Sequence, residues 1–566
     1  MKTKLSTAQH SFNALLIGLL AASPVMAANF DTLGQQTDGF SSLQQAAPPT
    51  ESGVSHPPSV LESFQQAEQD NKRSNYLAIL NLVKKNKLDE AQTKLTGILK
   101  NFPNESEYYN LQALLHTLKK DLPAAQQSYE KAIKLNSKNI LGHLGLAKFA
   151  LDEGQIDKAK EYANRALEIN DKSVSVYLVL ADIAFKQKDN AEIEKVLLTA
   201  KEKVQGNLTS EIEVIKNLGK LYNGQKQPEK ILSLMEDLDK RYPNDTTVLN
   251  LLAQAQVINK QNPAAEQSLK KIVDLDKKDI TNRLFLAKLL MEQADKEKEV
   301  MTLLDEAAAL NNDNPEALVI KTAYLIKLKR SADALALAAK IDQQFPKLIF
   351  GKLLKGDVYL ADKQVDKAIE YYQQVYKAQP NDRILFILTD LLASQKKEAE
   401  AMKLLESALS KDKKSLAINF KLASIYQQKN DNKRAEEYYQ AMLAVQPENV
   451  LALNNLAFLY AQKNDPRALE MAKKAAEKAP EAAAILDTYG YILVKQNQAK
   501  EGLDVLVKAA SLAPQANDIQ FHLAEAYVAN DDAKKAIEIL EALGKVAQEF
   551  AEKKAAADLL VKLKAQ

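Results

Sequence analysis

The sequence predicts an all-α fold, a right-handed superhelical solenoid of about 14 helical hairpins that ends in a capping helix. Three observations predict it: one pattern recurs every ~34 residues, small residues recur at one place in each copy, and prolines close many copies. Hardly any segment alternates apolar and polar side chains as a half-buried strand would. We therefore expect helices throughout the repeated part of the chain.

The first 27 residues have the features of a secretory signal peptide. Lys2 and Lys4 precede a short apolar run at 14–22, and the small-residue pattern VMA follows at 25–27. A membrane anchor needs ~20 apolar residues, about twice the length of this run. We expect cleavage after about Ala27, a periplasmic mature protein, and no transmembrane segment in the mature chain.

Residues 28–59 are rich in Gln, Ser, Gly, Thr and Pro. They contain too few large apolar side chains to offset the chain entropy that folding would cost. We predict a disordered leader there, followed by a short N-terminal capping helix at 60–71. The chain has no cysteine, which excludes disulfide bonds and a lipid anchor on an N-terminal cysteine.

The repeats occupy the rest of the chain. SIYQQKNDNKRAEEYYQAMLAVQPEN (424–449) and DVYLADKQVDKAIEYYQQVYKAQPND (357–382) share an alanine, a bulky residue four positions later and a closing proline. The repeats begin near residues 72, 106, 140, 174, 212, 246, 280, 315, 349, 382, 416, 450, 483 and 517. We assign 72–346 to repeats 1–8 and 347–544 to repeats 9–14, with the least regular turn at 293–300.

Small residues mark the places where helices are predicted to cross closely. Gly490 has the same position in its repeat as Ala457 in the one before, and Gly502 has the matching position in the second helix. Glycine inside a helix costs about 0.5–1 kcal/mol relative to alanine, so tight packing is the expected reason. Closing prolines such as Pro447 and Pro514 end the second helix, because they lack an amide hydrogen.

A capping helix is predicted at 545–566, after the last repeat. Phe550, Ala557, Leu560 and Leu563 lie on one face of this segment, and lysines lie opposite. The end of a solenoid exposes an apolar stripe, which such a polar-backed helix covers.

Neither the composition nor any motif of the sequence indicates nucleic-acid binding, metal binding or catalysis. The chain carries 76 basic and 74 acidic residues, for a net charge of +2, so nothing favours nucleic acid as a partner. The histidines after the signal peptide are scattered, and no metal-ligand or catalytic spacing occurs. We predict no cofactor, no metal site and no enzymatic activity. These histidines are His56, His116, His143 and His522.

A helix–turn–helix period of this length with small residues at fixed places resembles the tetratricopeptide repeat (TPR) family. Within 455–543, LDTYG and FHLAEAY resemble the last repeats of periplasmic TPR proteins of Gram-negative bacteria. Those proteins are associated with exopolysaccharide production and exosortase (PEP-CTERM) sorting. The resemblance implies a role in the cell envelope.

The family resemblance also implies a partner-binding groove, lined by positions 2, 5, 9 and 12 of each repeat's first helix. Aromatic, amide and acidic groups fall there in the later repeats, a mixture typical of a protein interface. The candidates are Phe350, Asp357, Phe386, Phe420, Asn454, Phe458, Asp487, Tyr491 and Phe521. The middle repeats are more polar, with Lys216, Asn250 and Gln254. An alternative stays open, in which the phenylalanines are buried between adjacent repeats.

We expect a non-enzymatic, exported scaffold that binds other envelope proteins or peptide segments, in surface polysaccharide or protein export. The alternative is a carbohydrate- or peptidoglycan-binding module whose aromatic side chains stack on sugars. The chain has no tryptophan, which weighs against that alternative. The sequence leaves the oligomeric state open.

Overall fold

The structure is a computed structural model that describes residues 60–546 and 549–565. The predicted signal peptide and leader lie outside these residues. Within them, all regular structure is helical: 29 α-helices and one short 3₁₀ helix, with no strand. The all-α repeat fold predicted from the sequence is confirmed.

The described residues divide after residue 327 into two compact units, unit 1 up to that residue and unit 2 from residue 328 onwards. In unit 1 each helix contacts the next, and the first helices of several neighbouring repeats also contact each other. Its helices are α1 Val60–Lys84, α2 Leu88–Asn101, α3 Ser106–Leu118, α4 Leu122–Leu135, α5 Ile140–Asp152, α6 Ile156–Ile169, α7 Val174–Lys186, α8 Asn190–Lys203, α9 Leu208–Gly224, α10 Pro228–Arg241, α11 Thr246–Ile258, α12 Asn262–Leu275, α13 Ile280–Leu290, α14 Glu297–Leu310 and α15 Glu316–Lys327.

Unit 2 is built in the same way, with contacts between all successive helices. Its helices are α16 Ser331–Gln344, α17 Phe350–Ala361, α18 Val365–Ala378, α19 Asp382–Ser394, α20 Glu398–Lys411, α21 Leu416–Gln428, α22 Asn432–Val445, α23 Val450–Gln462, α24 Arg467–Lys478, α25 Ala483–Lys495, α26 Ala499–Leu512, α27 Asn517–Ala529, α28 Ala533–Gly544 and α29 Lys553–Lys564.

The first helix differs from its prediction. Residues 60–71 do not form a separate cap but are the first half of α1, which runs unbroken from Val60 to Lys84. This segment contains neither glycine nor proline, so nothing in the sequence ends a helix before the first turn. Helix α9 also begins earlier than predicted, at Leu208 instead of 212, because the Asn207 side chain accepts a hydrogen bond from the Ser210 amide.

The boundary between the units falls between α15 and α16, inside the predicted eighth repeat. Helix α16 packs on α17. A Cβ at Gly351 would lie 2.6 Å from the Ala338 carbonyl oxygen, and Lys355 pairs with Asp342 at 2.5 Å. These contacts make α16 part of unit 2.

The turns between the two helices of a repeat share one conformation. In thirteen of them one residue has a positive φ: Asn86, Lys120, Gly154, Lys188, Lys226, Lys260, Lys329, Lys363, Lys396, Asn430, Asn464, Asn497 and Asp531. The next amide then bonds back to the helix, as from Asp121 to the His116 carbonyl at 2.9 Å, which is a Schellman closure. The turn at 293–300 contains the 3₁₀ helix Ala294–Lys296 instead.

The packing explanation for the two glycines is confirmed. A Cβ on Gly490 would lie 2.6 Å from Leu506 Cγ, and one on Gly502 would lie 2.9 Å from the Gly490 carbonyl oxygen. Helices α25 and α26 therefore meet backbone to backbone, where no larger side chain fits without displacement.

The C-terminal helix α29 covers the last hairpin. Ala556 and Leu563 are buried in a cluster that includes Leu540 and Leu543 of α28. One position of the predicted buried face is wrong: Ala557 is exposed. The helix begins only at Lys553, eight residues after the predicted start, so Phe550 lies before it and its buried residues are Ala556 and Leu563.

Candidate functional site

Uncovered apolar side chains lie on the first helices of unit 2. Phe350 at the start of α17 and Phe458 in α23 are 38% and 37% exposed, and Leu451, also in α23, is 52% exposed. An exposed phenylalanine or leucine is ordinary when it is single, whereas several on equivalent helices form a candidate contact surface. We call Phe350, Leu451 and Phe458 the apolar row.

The side chains of Phe386 and Phe420 are intermediate in exposure. Both are partly buried against the core of repeats 10 to 12, and the Phe420 ring lies 6.2 Å from that of Tyr439. The Lys421 ammonium lies 5.9 Å from the Phe386 ring centroid and pairs with Asp390 at 2.6 Å. Burial between repeats thus applies to these two phenylalanines but not to the apolar row.

Two predicted groove residues are buried, and those two predictions are corrected. Asp357 is 4% exposed, and its Oδ1 accepts a hydrogen bond from the Tyr372 hydroxyl at 2.5 Å, while its Oδ2 has no partner. Burial raises the pKa of Asp357 to about 7, against the opposing effects of the Tyr372 hydrogen bond and of Arg383. Phe521 is also 4% exposed, because it packs into the cluster that α29 covers.

The other three candidates are partly buried. The side-chain oxygen of Asn454 is buried and accepts no hydrogen bond. Asp487 in α25 accepts hydrogen bonds from Nδ1 of His522 at 2.8 and 3.0 Å. The Tyr491 ring lies 4.7 Å from the His522 ring. Asp487 and Tyr491 are thus held by a histidine of the following repeat.

The groove positions of the middle repeats, in unit 1, are polar, as predicted. Gln254 donates to Asn250 at 2.5 Å, Asn250 donates to Asn282, and Asn282 donates to Asp279 at 2.7 Å. These groups form one continuous chain of hydrogen bonds along α11 and α13. Their hydrogen-bonding capacity is largely used within the protein.

The comparison with protein families agrees with this architecture. One family model described as tetratricopeptide repeat matches residues 117–183, 392–453 and 493–562, and a second with the same description matches residues 76–140 and 353–415. The matches fall in both units. The chain is a tetratricopeptide repeat protein.

Individual relatives of this TPR protein are distant. The human protein O-mannosyl-transferase TMTC3 is 24% identical over 236 residues, which are 41% of this chain and 25% of the relative. The TPR chain therefore matches about a quarter of that relative's length.

The similar solved structures include the APC/C hetero-tetramer Cut9–Hcn1, with 17% identity, 82% of this chain and 98% of that chain covered, and a TM-score of 0.33. They also include Naa15/Naa10 bound to HypK-THB, with 12% identity, coverages of 89% and 94%, and a TM-score of 0.34. A third is YrrB, described as a TPR protein with an unusual peptide-binding site, with 16% identity, coverages of 35% and 98%, and a TM-score of 0.25.

One exposed aromatic of the TPR protein was missed at the sequence level. Phe185 in α7 is 73% exposed, the highest value among the large exposed hydrophobic residues of the described chain. It has position 12 of its repeat, a groove position, so the offsets applied to the later repeats would have found it if applied to the earlier ones.

Reactive groups do not gather within the described part of the TPR protein. No three His, Asp or Glu side chains there are grouped as metal ligands. No helix described is both long and apolar enough to cross a membrane. His143 bonds through Nε2 to the Ser137 carbonyl oxygen at 2.9 Å, which fixes its ring in the fold.

Proposed function

We propose that this TPR protein is an exported, non-enzymatic scaffold of the bacterial cell envelope that holds segments of other envelope proteins along the first helices of unit 2. The exposure of the apolar row carries the proposal. Fully burying an exposed phenylalanine or leucine side chain contributes about 1.5–3 kcal/mol, and covering the exposed third to half of each side chain in the row contributes a corresponding share. Three such side chains, one on α17 and two on α23, would be covered together by an extended partner segment that follows the first helices of unit 2.

Exposed carboxylates on other first helices of unit 2 favour a partner segment with apolar and cationic side chains. Asp390 is 65% exposed although it pairs with Lys421, and Asp518 at the start of α27 is exposed. Carboxylates at the rim of an apolar surface steer a cationic segment towards it and select its register.

Export and pathway rest on the sequence alone. The features of residues 1–27 support export, and the resemblance of 455–543 to exopolysaccharide and exosortase-associated proteins supports a place in surface polysaccharide or protein export. Sequencing the N-terminus of the protein from a periplasmic fraction tests the first part. We expect it to begin after about Ala27, and an intact Met1 in the cytoplasmic fraction would refute export.

The groove is tested with the variant Phe350→Ala/Leu451→Ala/Phe458→Ala. Its matched control is Val445→Ala/Val507→Ala/Leu512→Ala, because those residues are 42%, 43% and 39% exposed on second helices of the same unit. Immobilised wild type and both variants are incubated with envelope extract, and the retained proteins are quantified by mass spectrometry.

We expect the groove variant to lose at least about tenfold in retained partner, the loss of one well-covered side chain, and the control variant to retain the wild-type amount. Equal retention by the groove variant would refute the proposal. Retention of wild type on a polysaccharide resin, lost in the groove variant, would favour the carbohydrate-binding alternative.

A further inference from the structure

His522 connects three segments at the C-terminal end of unit 2. It lies in α27, its Nδ1 donates to Asp487 of α25, and its Nε2 lies 3.8 Å from Oε2 of Glu552. Glu552 is the residue immediately before α29. The imidazole side chain is only 14% exposed. It is thus the contact between the last repeat and the start of the cap.

The groups around the imidazole are mostly acidic. Helix α25 contributes Asp487, the Tyr491 ring and Lys495, whose ammonium pairs with Glu525 at 3.1 Å. Helix α27 itself contributes Glu525 and the Phe521 ring, whose centroid lies 6.0 Å from that of His522. The segment before α29 contributes Glu552. Three carboxylates and one ammonium therefore surround the ring.

The two ring nitrogens of His522 differ in role: Nδ1 makes a hydrogen bond, and Nε2 gains or loses a proton. Asp487 accepts from Nδ1 whether the ring is neutral or charged, so the proton that comes and goes is on Nε2. With that proton, the imidazolium attracts the Glu552 carboxylate. Without it, the Nε2 lone pair faces the same carboxylate and the attraction is lost.

We propose that protonation of His522 at Nε2 holds the C-terminal cap on the last hairpin, and that loss of this proton loosens the cap. Glu552 immediately precedes α29, whose Ala556 and Leu563 lie in the cluster with Phe521, Leu540 and Leu543. The cap is the element that responds, because Glu552 lies immediately before it and it packs on α28.

The direction of the pH dependence follows from the surroundings. Burial by itself lowers the pKa of His522, but the hydrogen bond and charge of Asp487 and the charges of Glu552 and Glu525 outweigh it and raise the pKa above 6.5. The docked cap, which adds Glu552, binds the proton more tightly than the undocked state. The contribution to docking is therefore complete below the undocked pKa and is lost as pH rises through the docked pKa.

The absence of cysteine from the chain provides a direct probe. In the full-length protein, Leu563→Cys places a thiol at a position that is 8% exposed under the cap, whereas Val561→Cys places one at a position that is 70% exposed. The rate of labelling by a small maleimide is measured for each of the two cysteine variants between pH 5.5 and 8.5. The ratio of the two rates reports protection by the docked cap.

We expect this protection to fall by about threefold as pH rises, the effect of one partly exposed ion pair. Glu552→Gln and His522→Gln, each combined with the cysteine substitutions, should abolish the pH dependence. Glu549→Gln is the matched control, because Glu549 is 80% exposed and pairs with Lys553 instead, and it should retain the dependence. Protection that is independent of pH in the parent, or a pH dependence that survives Glu552→Gln, would overturn the proposal.

Discussion

The two units differ in how many hydrogen-bond donors surround a buried carboxylate. In unit 1 the buried Glu211 accepts from the Gly206 amide at 2.8 Å, from the Tyr242 hydroxyl at 2.9 Å and from Arg241. In unit 2 the buried Asp357 has one donor, the Tyr372 hydroxyl. Asp357 has a single hydrogen-bond donor, so its burial dominates and raises its pKa.

The surfaces show the same contrast. The amides of α11 and α13 in unit 1 bond to one another, whereas the apolar row of unit 2 is uncovered. Polar side chains that already have hydrogen bonds within the protein contribute little to the free energy of binding, because a new hydrogen bond to a partner would replace an existing one. Uncovered apolar surface gains free energy whenever it is covered. This difference supports the proposed binding along the first helices of unit 2 over binding at the amides of α11 and α13.

The largest effect is expected at Glu211. Glu211→Ala leaves Arg241 without its buried partner and should reduce the free energy of unfolding by about 3–5 kcal/mol, measured by urea denaturation. Glu168→Ala is the matched control in the same unit, because Glu168 is 66% exposed beside Arg165 and should change stability by less than about 0.5 kcal/mol. Similar losses in both variants would remove the distinction between buried and surface pairs.

At Asp357 the prediction concerns pH. Its pKa is raised from 3.8 to about 7 in the folded protein, so the folded state holds a proton that the unfolded state releases, and stability falls as pH rises from about 4 to 7. The free energy of unfolding of Asp357→Asn, relative to that of wild type, should therefore rise by on the order of 2–4 kcal/mol between pH 4 and 7. Urea midpoints at pH 4.5 and 7.5 measure it. A difference between the two proteins that does not vary with pH would show that Asp357 is ionised in the fold.

The close crossing in unit 2 gives a smaller effect. Gly502→Ala would bring a Cβ to 2.9 Å from a backbone oxygen and should destabilise by about 1–3 kcal/mol. Gly97→Ala in α2 of unit 1 is the matched control, because its Cβ would meet nothing within 4 Å. It should stabilise by about 0.5–1 kcal/mol. Thermal unfolding distinguishes the two, and a stabilising Gly502→Ala would contradict the backbone contact.

The smallest effect tests whether the hairpin turns are alike in the two units. Lys188 in unit 1 and Lys396 in unit 2 have φ values of 59° and 62°, which glycine adopts with less strain. Lys188→Gly and Lys396→Gly should each stabilise by about 0.5–1 kcal/mol, after the higher entropy of glycine in the unfolded chain is subtracted. Unequal changes in the urea midpoint would show that the units differ in their turns as well.

The hairpins and their tight crossings could be predicted because they depend on local signals. Spacings of three and four, turn residues and glycines such as Gly490 act within one repeat or between neighbours. The same offsets failed for Asp357 and Phe521, since they assume that every repeat exposes the same positions. Tyr372 covers the first, beside Gly356, and the C-terminal cap covers the second.

The pairing of His522 with Asp487 also escaped the sequence-based prediction. The two residues are 35 positions apart, one repeat plus one residue, which places them side by side on neighbouring first helices. A search for complementary charges at this separation would have found the pair. The link to Glu552 would still be missed, because it depends on where α29 begins.

Site-specific photo-crosslinking in living cells tests directly whether partner proteins bind along the first helices of unit 2. A photoreactive side chain is placed in the full-length protein at Phe458 of the apolar row or at Asn250 of the polar chain in unit 1. We expect discrete crosslinked adducts with other envelope proteins from position 458 and few or none from position 250. Adducts of equal yield from both positions, or from position 250 alone, would contradict it.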